Sequence, residues 1–122
     1  MTHAVVALSD GATVDDARAL LNANGLKSAP VVDDQNRLKG SLKVSDVVKA
    51  ERAGNGRATV RGIMRTQVVS VGPDTPVGEL EDILVTTVGR VPVIDDAGTL
   101  LGIVTRTDIL RLRNYYKDET LQ

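Results

Sequence analysis

Cysteine is missing from all 122 residues, and histidine occurs once, at His3. Disulfides and thiolate metal sites are therefore excluded, and one terminal imidazole is no ligand set for zinc, so no metal is expected. Phe and Trp are absent too; the only aromatics are Tyr115 and Tyr116. Without aromatics in the body there is no platform for stacking bases. No charge sign dominates: 15 basic residues face 16 acidic ones. This argues against a nucleic-acid binder working through a broad basic surface. No apolar run reaches the length of a membrane span, and no signal-peptide pattern is visible. No serine sits in a nucleophile elbow and no phosphate-binding glycine loop appears. The expectation is a cytoplasmic binding domain with no catalytic residues and no required cofactor, binding neither nucleic acid nor membrane.

What is present is aliphatic and repetitive. Hydrophobic residues make up 42% of the chain, enough for a core built of Val, Leu, Ile and Ala. Ala29-Pro30-Val31-Val32-Asp33-Asp34 matches Val91-Pro92-Val93-Ile94-Asp95-Asp96 at a spacing of 62 residues, as do Leu38-x-Gly40 and Leu100-x-Gly102, and Asp46-Val47-Val48 and Asp108-Ile109-Leu110. Upstream the spacing becomes 63: Val14, Ala17, Leu20 and Leu21 align with Val77, Leu80, Ile83 and Leu84. The second copy has thus lost one residue, placed here near the end of its first helix.

Each copy carries the same series of signals. A Val-rich run (Ala4 to Leu8; Val68 to Val71) is followed by a turn at Asp10-Gly11 or Gly72-Pro73-Asp74. A helix follows with apolar residues at i, i+3, i+4 and i+7. Then come a strand (Ala29 to Val32; Val91 to Ile94), a hairpin turn and a second strand (Leu38 to Leu42; Leu100 to Val104). A helix from about Ser45 or Thr107 closes the copy. The acids Asp15, Asp16, Glu79, Glu81 and Asp82 fall in or near first helical turns and suit the helix dipole. Each unit reads β-α-β-β-α, so the fold class is α/β (α+β). Sixty residues with a small sheet do not close a core alone, so the copies are expected to pack face to face as a pseudo-twofold pair. The divisions are residues 1–53 for the first domain, 54–61 for a polar, Gly-rich linker, 62–117 for the second domain and 118–122 for a tail. Val60 to Met64 is a candidate short helical lead-in. The basic stretch Arg111 to Lys117 reads as a solvated helix end or a partner surface.

Four segments of the second copy resemble the cystathionine-beta-synthase-type (CBS) domain: Gly62-Ile63-Met64-Arg65-Thr66, Val68 to Val77, Gly89-Arg90-Val91-Pro92-Val93-Ile94-Asp95 and Gly102-Ile103-Val104-Thr105-Arg106-Thr107-Asp108. The resemblance covers nearly the whole chain and identifies a tandem CBS pair. It implies a regulatory, energy-sensing module that binds AMP, ADP, ATP or S-adenosylmethionine in the cleft between its two units and associates as a homodimer. It also implies roles for residues. Thr105 would contact phosphate and Asp108 the ribose hydroxyls. Backbone near Val91 and Pro92 would read the adenine edge, with Arg106 and Arg90 adding charge. Val69, Ser70 and Thr66 would line the cleft. The segments at residues 89–93 and 105–108 are similar to those of CBS pairs attached to tRNA-nucleotidyltransferase-like enzymes.

The residues themselves leave a second reading open. Thr105-x-x-Asp108 is also the pattern of a helix cap, which needs no ligand. A helix start equally favours an anion, through free N–H groups and the dipole. In the first copy Asp46 is kept, but Lys43 stands where the hydroxyl belongs. Lys43 is a point charge for phosphate or simply an exposed strand end. Thr66 and Ser70 also read as strand-edge polarity, and Pro30 and Pro92 as kinks or as edges of an opening. A structural or dimerisation pair with an empty cleft, as one piece of a larger enzyme or transporter, is the alternative function.

Overall fold

The structure, a computed structural model, describes residues 6–86 and 90–108. Its elements run β1 (Leu8–Ser9), α1 (Val14–Ala23), β2 (Ser28–Val32), β3 (Leu38–Lys43), α2 (Val44–Arg52), α3 (Val60–Ile63), α4 (Val77–Thr86), β4 (Arg90–Ile94) and β5 (Leu100–Thr105). The order of elements in each copy follows the sequence repeat, and the fold is mixed α/β. The start of the first Val-rich run at Ala4, the tail basic stretch and all but the first turn of the final helix lie outside the described residues. Among the described residues no helix is long and apolar enough to cross a membrane.

Two compact units divide the chain. One holds Val6–Val68 together with Ala97–Leu100; the other holds Val69–Asp96 and, among the described residues, 101–108. Packing and sequence repeat are therefore not divided at the same places. The first unit has a three-stranded sheet in the order β1-β2-β3, with β1 parallel and β3 antiparallel to β2. Its core is wholly aliphatic: Leu8, Val14, Ala17, Leu21, Ala29, Val31, Leu42, Val47, Ala50 and Val60. In the second unit β4 pairs with β5, and Val71, Leu80, Leu84, Val91, Val93 and Val104 form the core.

Local chemistry accounts for the elements. Thr13 caps α1 by accepting the Asp16 N–H at 3.1 Å, with Asp15 and Asp16 in the first turn to complement the dipole. Val14, Ala17 and Leu21 are buried, but Leu20 is 39% exposed. The apolar spacing had placed it on the inner face. It lies roughly 90° round the helix from the centre of that stripe, beyond the reach of the sheet. Helices α1 and α4 are both ten residues long. The stretch just after Thr86, where α4 meets β4, lies outside the described residues.

The first strand of each copy is shorter than the Val-rich runs suggest. Leu8 and Ser9 pair with Val31 and Val32, and the Asp10 N–H donates to the Val32 carbonyl at 2.9 Å. In the second copy only Val71 pairs, with Val93. The repeat image of Asp10 is Pro73, which has no N–H to extend the ladder. Pro30 costs nothing in β2. Its partner is Ser41, whose N–H and carbonyl both turn away to bond Arg65, each at 2.9 Å.

The Gly-rich stretch after α2 is tied down at several points. The Asn55 N–H bonds the Ala50 carbonyl at 2.9 Å, and the Gly56 carbonyl accepts from Asp15 at 3.0 Å. A Cβ on Gly56 would sit 2.6 Å from the Asp15 carboxylate. Asn36 and Gly98, 62 residues apart, both take positive φ in their hairpin turns, at 61° and 85°. The Leu38 N–H bonds the Gly98 carbonyl, and the Leu100 N–H bonds the Asn36 carbonyl, both at 2.9 Å. Each bond is the image of the other under the repeat.

Candidate functional site

In the second copy β5 runs straight into a helical turn that begins at Arg106. Thr105 and Asp108 close on one another there. The Asp108 N–H donates to Thr105 Oγ1 at 3.3 Å. The Thr105 N–H and hydroxyl both donate to Asp108 Oδ2, at 2.9 and 3.0 Å. This is a complete reciprocal cap, as the Thr-x-x-Asp spacing allows. Asp108 also lines a pocket of about 260 Å³ whose walls are chiefly aliphatic, among them Val71, Leu80, Val93 and Val104.

The first copy holds the same helix start in a different state. Lys43 occupies the cap position of α2 but has no acceptor to offer, so only half the cap forms, with the Lys43 N–H 3.4 Å from Asp46 Oδ2. Asp46 finds another partner. Arg65 binds it through both oxygens, Nε to Oδ2 at 3.0 Å and Nη2 to Oδ1 at 3.1 Å. That fork, helped by the Lys43 N–H, holds the Asp46 carboxyl below the usual carboxylate range despite partial burial. Sequence reading placed Arg65 in the second copy without a role. The one available signal was an acid at the third helical position with no hydroxyl to pair with.

The sign of this coupling gives a prediction. A depressed carboxyl contributes stability above its unfolded pKa, and that contribution is lost as pH falls through the folded value. Arg65→Ala is expected to return the Asp46 titration, followed by carboxyl-carbon NMR, toward the ordinary range. The variant should be slightly less stable at pH 7, by under about 1 kcal/mol because Arg65 is half exposed. The difference should vanish in acid below the carboxylate range. An unchanged Asp46 titration would remove Arg65 as the cause.

The remaining sequence-predicted residues lie as follows. Lys43, Asp46 and Thr66 belong to the first compact unit; Val69, Ser70, Val91, Pro92, Thr105, Arg106 and Asp108 belong to the second. Val91 and Pro92 are buried in β4, and the Pro92 carbonyl accepts the Val71 N–H at 3.0 Å. Thr66 is exposed, Ser70 half-buried, and Val69 is 53% exposed. The Arg106 guanidinium donates to the Leu84 carbonyl at 3.1 Å, where it complements the negative end of α4. Of the ten, only Asp108 lines the aliphatic pocket.

The model of the CBS domain family matches this chain twice, over residues 1–53 and 60–115. The chain belongs to the CBS domain family. This CBS pair is 32% identical over 111 residues to an A-adding tRNA nucleotidyltransferase of Geobacter sulfurreducens, covering 91% of the chain but only 12% of that protein. Among solved structures it resembles CBSX2 of Arabidopsis thaliana in complex with AMP, at a TM-score of 0.79 and 26% identity over 93% of this chain and 90% of that one. It also resembles the cytosolic domain of the Mg2+ channel MgtE in complex with ATP, at a TM-score of 0.78 and 34% identity over 92% of this chain and 46% of that one.

Proposed function

We propose that this CBS pair is a non-catalytic regulatory module that binds an adenosine nucleotide, or S-adenosylmethionine, against its second copy and passes occupancy to an attached or partner protein. The observation that carries this reading is the Thr105–Asp108 pair at a fresh helix start, with Asp108 bordering an aliphatic pocket. A helix start suits phosphate, a carboxylate suits a ribose diol, and aliphatic walls suit adenine. The likeness to structures holding AMP and ATP supports the ligand class. The first copy is the weaker candidate, because Arg65 already takes both oxygens of Asp46. Occupancy regulates a partner only if the ligand prefers one of two arrangements.

Thermal melts of the whole chain with AMP, ADP, ATP and S-adenosylmethionine test this. A ligand at about 100 times its Kd adds about 2.7 kcal/mol, a shift of several degrees. Asp108→Ala is expected to abolish that shift and to lower the ligand-free melt by the cost of a lost cap, about 1 kcal/mol. If none of the four moves the melt at millimolar concentration, the second reading stands: a structural or dimerisation pair, for which the self-satisfied Thr105–Asp108 cap is the favouring observation. A homodimer is part of either proposal and is read by sedimentation.

A further inference from the structure

Two Asn-Gly pairs occur in the chain, Asn24-Gly25 after α1 and Asn55-Gly56 after α2. Both asparagines are exposed. A glycine after asparagine has no Cβ to shield its backbone nitrogen, so that nitrogen can reach the side-chain amide carbon. How each pair is held decides whether it does. At the first pair both reacting groups are engaged. The Asn24 side-chain amide donates to the Leu20 carbonyl at 2.8 Å, and the Gly25 N–H donates to the Asn22 carbonyl at 3.2 Å. Gly25 also takes the left-handed conformation, φ 62°, that closes the helix. At the second pair neither group is engaged: among the described residues the Asn55 side chain and the Gly56 N–H have no hydrogen-bond partner. Only the Asn55 backbone is tied, its N–H to the Ala50 carbonyl at 2.9 Å and its carbonyl to the Ala58 N–H at 3.0 Å.

We infer that Asn55-Gly56 is a self-modification site, at which the chain deamidates through a cyclic imide. The Gly56 nitrogen attacks Asn55 Cγ. The new N–Cγ bond forms as the Cγ–Nδ2 bond breaks, and Nδ2 leaves as ammonia with the Gly56 proton. Water then opens the ring at either carbonyl. One product is aspartate at position 55; the other is its isomer, with the main chain routed through the side chain. Both products strike the same contact. The Gly56 carbonyl accepts the Asp15 N–H at 3.0 Å, and an Asp15 carboxylate oxygen is 2.6 Å from where a Gly56 Cβ would stand. Either product brings a second carboxylate to this acidic spot. The isomer also turns the carbonyl that accepts the Ala58 N–H into a free carboxylate and adds a carbon to the main chain. The segment that follows carries Val60 into the core of the first unit, so modification loosens that unit and leaves Thr105 and Asp108 untouched. This inference does not depend on the nucleotide reading.

The unaltered chain, aged in warm, mildly alkaline buffer and then digested with trypsin, tests this by mass spectrometry. Trypsin separates the two pairs, in peptides 53–57 and 19–27. Asn55 is expected to gain one dalton, in aspartyl and isoaspartyl forms that elute apart. It should do so more than about tenfold faster than Asn24, because two hydrogen bonds have to break before Asn24 reacts. In urea that ratio should fall toward unity, which assigns it to the fold and not to the dipeptide. The melting temperature should fall in step with the modified fraction, and an Asn55→Gln chain aged alongside should keep its melt. An Asn24 that reacts as fast as Asn55, a peptide 53–57 that keeps its mass once Asn24 has reacted, or a ratio unchanged in urea would overturn the site. A fully modified chain with an unchanged melt would overturn its effect on the first unit.

Discussion

Gly40→Ala is expected to destabilise the protein by about 3 kcal/mol, lowering Tm by roughly 10 °C or more. A Cβ at this position would stand 2.4 Å from the Arg65 carbonyl oxygen and 3.0 Å from Met64 Sδ. The methionine is free to move; the carbonyl is not. Arg65 is held to Ser41 by two backbone bonds of 2.9 Å, and both have to stretch before a methyl group fits. The cost therefore combines overpacking with the weakening of two backbone bonds, each worth about 1 kcal/mol. The Asp46–Arg65 fork should loosen as well, so the same variant is expected to raise the Asp46 pKa. Gly78→Ala is the matched comparison. Gly78 lies exposed in α4, where a Cβ meets nothing within 4 Å, and the change should stabilise by about 0.5–1 kcal/mol. Urea melts of both variants read the two signs. A Gly40→Ala protein as stable as the parent would show that segment 64–65 gives way freely.

The second large effect is Leu42→Ala, expected to cost about 3 kcal/mol or more. Leu42 is fully buried in a core with no aromatic ring to slide into the space. Its neighbours Val14, Val31, Val47 and Val60 are β-branched and stiff at χ1, so the cavity collapses poorly. Against a total stability of about 5–15 kcal/mol, that is a large share. Leu20→Ala removes the same atoms from an exposed site and should change stability by under about 0.5 kcal/mol. Equal effects from the two leucines would contradict the burial assignment.

These contrasts show where the sequence was readable. The 62-residue repeat exposed the paired elements, and β2, β3, β4 and β5 fall within a residue or two of the aliphatic runs, because strand burial writes itself into consecutive Val, Leu and Ile. The helix-start cap at Thr105 and Asp108 was visible because both partners lie three residues apart. Leu20 was misplaced because a leucine at helical spacing says nothing about how wide a face the sheet covers. The short first strands were hidden because a lost ladder bond at Pro73 depends on which N–H the partner strand needs. Arg65 was invisible as the partner of Asp46 for a similar reason. Nineteen residues separate them, and only the pairing of Arg65 with Ser41 brings them together.

That pairing bears on how such a chain arises. The segment from Val60 to Val68 lies at or beyond the close of the first repeat, yet it packs into the first unit, filling its core with Val60 and extending its sheet at Arg65. A one-copy ancestor that ended before this stretch would leave that surface bare. A cut in the Gly-rich stretch at residues 53–57 would part Val60 and Arg65 from the unit whose core and sheet they complete.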